Sequence, residues 1–135
     1  MTAQHLLAAA QTCDRAFGFL VGELGYRRDP ARYEHGGFAL RYRGPVTGVV
    51  VAWYPRDTLK VWVVRLAGGE FPKGPDAGRN RFALEDVEAL SGHARRVGPW
   101  QLHVVPNDET ARLLAGNLRR YAADLLGGDL SRLPG

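Results

Sequence analysis

Apolar and polar positions alternate most regularly between residues 38 and 66. Three apolar stretches lie there, 38–42, 46–54 and 59–66, separated by Gly44-Pro45 and Pro55-Arg56-Asp57. They are short, rich in Val, Trp and Tyr, and punctuated by Gly and Pro, so they predict three antiparallel strands joined by tight turns. A turn centred on Gly44-Pro45 sets Leu40 opposite Val49 and Phe38 opposite Val51. A turn centred on Arg56-Asp57 sets Tyr54 opposite Leu59 and Val51 opposite Trp62. Opposed residues share a face and successive residues alternate. One face is then expected to carry Phe38, Leu40, Tyr42, Val49, Val51, Trp53, Trp62, Val64 and Leu66, with Thr47 and Lys60 near its ends; its bulk makes it the core face. The other is expected to carry Ala39, Arg41, Arg43, Val50, Ala52, Tyr54, Leu59, Val61, Val63 and Arg65. A one-residue slip in either turn exchanges these assignments.

Flanking segments switch to a helical period. Leu6, Ala10, Cys13, Phe17, Leu20 and Leu24 recur at spacings of three and four. They predict a helix over 3–24, with Thr2 as N-cap and Gly25 as a left-handed stop. Gly18 and Gly22 weaken it or permit close approach to the sheet. Residues 26–34, broken at Asp29-Pro30, read as a short strand or an irregular edge. The glycine- and proline-rich stretch 67–81 reads as a long loop and lacks the Gly-Lys-Ser/Thr ending of a phosphate loop. A short helix is predicted over 82–91, with Phe82, Val87 and Leu90 facing inward and Glu85, Asp86 and Glu88 outward. Residues 100–105 read as a last strand or extended segment. Asn107 or Asp108 caps a final helix over 108–126, whose apolar positions are Leu114, Leu118, Tyr121, Ala122 and Leu125. The expected architecture is one α+β domain over 1–135. It is an antiparallel β-meander of three to five strands with an N-terminal and a C-terminal helix packed on one face.

Composition narrows the setting. A chain of 135 residues suits one hydrophobic core. No apolar run approaches the roughly 18 residues that span a bilayer, and the first residues lack the basic-then-apolar order of a signal peptide. The lone Cys13 allows no intrachain disulfide, so a cytoplasmic protein with no membrane association is expected. The formal charge is +4, with 18 basic and 14 acidic residues interspersed, and only Lys60 and Lys73 are lysines. Without a dense basic block, nucleic-acid binding through scattered arginines, Arg79 and Arg81 among them, stands as an alternative. The Arg, Ala and Gly bias is equally that of a GC-rich bacterial genome.

Candidate chemistry is sparse. His5, His35, His93 and His103 include no i, i+4 pair, and Cys13 lies in an apolar stripe, so no metal or cofactor is expected. His103 beside a strand pairs in principle with Asp57 or Glu70, though a surface histidine is the simpler reading. A metal-dependent nuclease reading uses Asp57 and Lys60, with Glu70 as second carboxylate. Such a site needs its acids and lysine at one strand end. The expected register instead puts Asp57 in the turn, with its carboxylate taking local backbone hydrogen bonds, and Lys60 toward the core. No enzyme is expected.

Four stretches carry a resemblance: Phe19-Leu20-Val21-Gly22-Glu23-Leu24-Gly25-Tyr26, Val51-Ala52-Trp53-Tyr54-Pro55-Arg56-Asp57, Arg81-Phe82-Ala83-Leu84-Glu85-Asp86-Val87 and Leu125-Leu126-Gly127-Gly128-Asp129-Leu130-Ser131. In their order they resemble a loose group of small, uncharacterised actinobacterial and related bacterial proteins, some similar to immunity proteins of toxin systems. The resemblance implies a protein that binds and blocks a cognate toxin and has no catalytic residues. Inhibitors of nucleases in such systems are usually acidic, and this chain is basic, which points away from a nuclease as the partner.

The second sheet face is the expected contact surface, the alternative being a face covered by a loop or helix, whose valines follow from strand propensity alone. Arg41, Arg43, Val50, Tyr54, Val61, Val63 and Arg65 place tyrosine and arginine around an aliphatic centre, a composition suited to protein interfaces. The expected partner is another protein or a second copy of the chain in a homodimer.

Overall fold

The computed structural model describes residues 2–73, 79–92 and 105–134. The chain runs α1 (Ala3–Ala16), α2 (Phe19–Gly22), β1 (Arg27–Arg28), β2 (Arg32–Glu34), β3 (Gly37–Arg43), β4 (Thr47–Trp53), β5 (Lys60–Arg65), β6 (Arg81–Ala83), α3 (Leu84–Leu90), α4 (Asp108–Tyr121) and α5 (Ala123–Leu126). All strand pairs are antiparallel. The order is β1-β3-β4-β5-β6, and β2 pairs with the same edge of β3 as β1. The sheet therefore has six strands, and the α+β class with terminal helices is as expected. The segment 26–34 supplies two of those strands. Of the stretch 100–105 read as a strand, residues 100–104 lie outside the described residues, as do the histidines His93 and His103, and Val105 belongs to no strand.

Local chemistry sets the element ends. The Thr2 side chain accepts from the His5 N–H at 3.2 Å and caps α1. The expected continuous helix over 3–24 is instead broken at Phe17-Gly18. A Cβ on Gly18 would lie 3.2 Å from the Arg15 carbonyl oxygen, so this tight joint between α1 and α2 favours glycine. Gly25, at φ +72°, takes the left-handed stop as expected. Asn107 and Thr110 form a reciprocal capping box at α4, each side chain accepting from the other's backbone N–H.

Helix α1 packs on β3 and on α4, while α5 lies against β4. The core between helices and sheet holds Cys13, Phe17, Leu20, Phe38, Leu40, Tyr42, Val49, Val51, Trp53, Leu114, Leu118 and Leu125. Two buried hydroxyls tie the sheet to the C-terminal end of α5. Tyr26 donates to the Leu126 carbonyl at 2.6 Å and Thr47 donates to the Leu125 carbonyl at 2.7 Å, satisfying acceptors that a helix end leaves open. Some expected facings are corrected. Leu24 and Leu90 are exposed. Phe82 belongs to strand β6 rather than to the following helix. Glu88 points inward, where the Asn117 amide donates to its carboxylate at 3.2 Å. Among the described residues no helix is long and apolar enough to cross a membrane.

The first hairpin slips by two residues from the expected register, with Phe38 opposite Trp53 and Leu40 opposite Val51. Its bend centres on Pro45-Val46, and the Gly44 N–H donates to the Thr47 carbonyl at 2.8 Å. A two-residue slip preserves the faces, so every β3 and β4 core position expected from the pattern is buried. The second hairpin slips by one. Pro55 takes the second position of a turn in which the Asp57 N–H donates to the Tyr54 carbonyl at 3.0 Å, and Arg56 sits at φ +69°. That is the type II arrangement that proline favours. Val51 then pairs with Val61 and Val50 with Trp62. The correction exchanges both faces of β5. Val61 and Val63 enter the core at 3% and 0% exposure together with Leu59, whereas Lys60, Trp62 and Val64 move to the second face.

Three buried groups make the fold alkali-sensitive. Burial, reinforced by the Asp14 carboxylate, pushes the Cys13 thiol up to about 12. Burial raises Tyr26 to about 12. Tyr42, buried and donating to Asp14 at 2.6 Å, is raised further. Each folded pKa lies above its unfolded value, so the unfolded chain releases these protons first. The stability is therefore full below about pH 8.5 for the thiol and about pH 10 for the phenols, and falls as pH rises beyond those values. Each group steepens the decline by at most about 1.4 kcal/mol per pH unit. Urea midpoints followed from neutral to strongly alkaline pH check this, and Tyr42→Phe is expected to flatten the alkaline limb.

Candidate functional site

The face of the sheet away from α1 and α4 forms a trough, and the pairings place its residues in rows. One row runs Arg41, Val50, Trp62, Ala83; the next runs Arg43, Gly48, Val64, Arg81; on the other side lie Arg32, Ala39, Ala52 and Lys60. Small aliphatic side chains occupy the middle of these rows. Large cationic and aromatic ones stand toward the margins. The result is a cavity of about 230 Å³ floored by Ala39, Val50, Ala52 and Val64 and walled by Arg41, Tyr54, Trp62, Phe71 and Arg81.

Close packing shapes the walls. A Cβ on Gly48 would come within 2.7 Å of the Phe71 ring and 2.8 Å of Leu66, so glycine there lets both cover that end of the sheet. The Arg41 guanidinium lies 5.0 Å from the centroid of Phe71, and Arg81 lies 3.9 Å from the centroid of Trp62. These contacts restrain the guanidinium groups by cation–π attraction. Burial first, then the neighbouring charge of Arg32, lowers the Arg41 pKa from its ordinary value. Tyr54 stands at the far end, its hydroxyl donating to Glu34 at 3.4 Å. Burial and the Glu34 carboxylate raise its pKa.

Of the seven residues expected to bind a partner, Arg41, Val50 and Tyr54 line the trough. Arg43 is at its margin as a clasp, donating to Asp29 at 2.8 Å and to Glu70 at 2.7 Å. The Asp29 hydrogen bond is the main reason its pKa is raised. Val61 and Val63 are core residues. Arg65 is on the helix side of the sheet, donating to the carbonyls of Arg79 at 3.2 Å and Pro134 at 3.1 Å. Trp62, Val64, Phe71 and Arg81 take the places assigned to them. For Trp62 and Val64 the missed signal was the loop length: the pairing centres on Arg56, so the loop is odd-numbered and the β5 register shifts by one.

The residues of the nuclease reading do not assemble. The Lys60 ammonium is 3.9 Å from the Asp57 carboxylate and lies on the second face rather than toward the core. The same Asp57 oxygen accepts from the Thr58 N–H at 2.8 Å, while Glu70 is engaged by Arg43. Among the described residues no group of three or more His, Cys, Asp or Glu side chains is placed to hold a metal ion. Cys13 is fully buried. Comparison with protein-family models, with curated proteins and with solved structures found no match.

Proposed function

We propose that this chain is a non-catalytic binding module that recognises an acidic partner protein through the trough, in the manner of an immunity-type protein that blocks a cognate toxin. The observation that carries the reading is the trough itself. Tyrosine, tryptophan and arginine surround an aliphatic floor on a sheet face that α1 and α4 leave uncovered. These residue types dominate binding energy at protein interfaces, because they bury large area while keeping polar reach. Arg32, Arg41, Lys73 and Arg81 outnumber the single lining carboxylate, Glu34, which suits a partner of negative potential. The same excess opposes isologous pairing of two copies, since a two-fold axis would bring like charges together. A foreign partner is therefore favoured over a homodimer. A reducing, cytoplasmic setting fits the single buried Cys13.

The test is co-expression of the tagged chain with the products of adjoining reading frames, followed by affinity measurement on any complex. Tyr54→Ala and Val50→Asp are expected to weaken it by more than about 1 kcal/mol, roughly fivefold or more, with folding cooperativity retained. Binding that survives both changes, or that is lost instead on altering exposed Leu7 and Val21 on the helical side, contradicts the reading.

A further inference from the structure

Arginines elsewhere in the fold find carboxylates: Arg43 pairs with Asp29, Arg119 with Glu23 and Arg132 with Asp124. Arg41 and Arg81 in the trough walls hold no carboxylate at ion-pair distance among the described residues; each guanidinium lies over a ring, Asp29 and Glu34 act on Arg41 only at longer range, and the Nε of each is buried without a hydrogen-bond partner. A guanidinium donor buried without an acceptor is costly. Here both side chains line one cavity and approach it from opposite sides of β4 and β5. We propose that the trough is a carboxylate seat: Arg41 and Arg81 take an aspartate or glutamate side chain of the partner protein, whose aliphatic stem rests on Val50 and Val64. This rests on the binding reading above and specifies the group it recognises.

Two observations favour a protein carboxylate over nucleic-acid phosphate. Single-stranded nucleic acid binds by stacking bases on open aromatic faces, but Trp62 and Phe71 each already have a guanidinium over the ring. Glu34 also stands in the cavity lining, with Tyr54 donating to it, and repels a polyanionic backbone more than it does one carboxylate on an apolar stem. The ring contacts restrain each guanidinium, so little further side-chain freedom is lost when it takes an acceptor.

The experiment follows the Nε–H resonances of Arg41 and Arg81 in the isotope-labelled full chain, titrated with a capped alanine-based peptide carrying one glutamate. The same peptide with glutamine in its place, and oligothymidylate of the same length, serve as comparisons. The glutamate peptide is expected to shift both resonances saturably and the glutamine peptide to leave them in place. Arg41→Lys and Arg81→Lys, which keep the charge and lose the planar fork, are expected to weaken the response about tenfold each. The proposal is overturned if the glutamate peptide moves neither resonance, if the glutamine peptide moves both equally, if the lysine variants bind as well, or if oligothymidylate displaces the peptide. Loss of the peptide response alongside retained, Tyr54-dependent partner binding removes the carboxylate seat alone. Loss of both removes the contact face as well.

Discussion

Replacing Trp53 with alanine is expected to destabilise the fold by about 3–5 kcal/mol, as for other buried aromatic truncations, whereas Trp62→Ala costs about 1–2 kcal/mol. Trp53 is 4% exposed, packed beside Phe38 beneath the helices. Trp62 is on the opposite face, partly exposed, with Arg81 over its ring. Equal burial of the two indoles, as the simple turn count predicts, gives equal and large losses instead. Urea unfolding of both variants separates the cases, since the difference exceeds the usual error of extrapolation. The Trp62 variant is also the one expected to lose partner affinity, so stability and binding should report on different tryptophans.

The second large effect is expected at Gly37→Ala. A Cβ there would sit 2.0 Å from the Trp53 carbonyl oxygen and 2.9 Å from the Tyr54 Cα, backbone atoms at the end of β4 and just beyond it. Flexible side-chain ends can yield, but these positions can move only if the β3–β4 ladder opens at its end. A loss of about 3 kcal/mol is expected, toward the upper end of overpacking costs. The added methyl also lies 2.6 Å from the Tyr54 ring, so the change displaces a wall of the trough. Gly116→Ala is the control. In α4 an added Cβ at that position meets nothing within 4 Å, and removing a mid-helix glycine is expected to stabilise by about 0.5–1 kcal/mol. Denaturant midpoints of the two variants should move in opposite directions.

Alternation along the chain was enough to identify the core face of β3 and β4, because the bend at Pro45-Val46 shifts the pairing by an even number of residues and side-chain parity survives. It was not enough for β5. The observed pairing centres on the single residue Arg56 rather than between Arg56 and Asp57, so the loop has an odd number of residues and every side chain of β5 changes face. Alternation along the chain is equally compatible with either loop length. The trough was legible in part: Arg41, Val50 and Tyr54 follow from parity on strands whose faces were right. Phe71 comes from the loop after β5, and Arg32 and Glu34 come from the edge strand β2. Their arrival depends on packing over Gly48 and pairing with Ala39 and Gly37, for which no periodic signal exists. Glu88 shows the same limit, since a polar residue on an apparently outward helical position turns inward once Asn117 supplies a donor.

The side chains that stand on the open face decide whether the trough exists, and thiol labelling of Trp62→Cys and Val63→Cys under native conditions tests this most directly. The native Cys13 is silent in such an experiment, being fully buried with its thiol held at about 12. The fold described above requires the cysteine at 62, on a partly exposed position, to react without opening of the protein. It requires the cysteine at 63, which replaces a fully buried valine, to react only as fast as the protein opens. Rapid labelling at 63 with protection at 62 would return β5 to the opposite register and remove the trough.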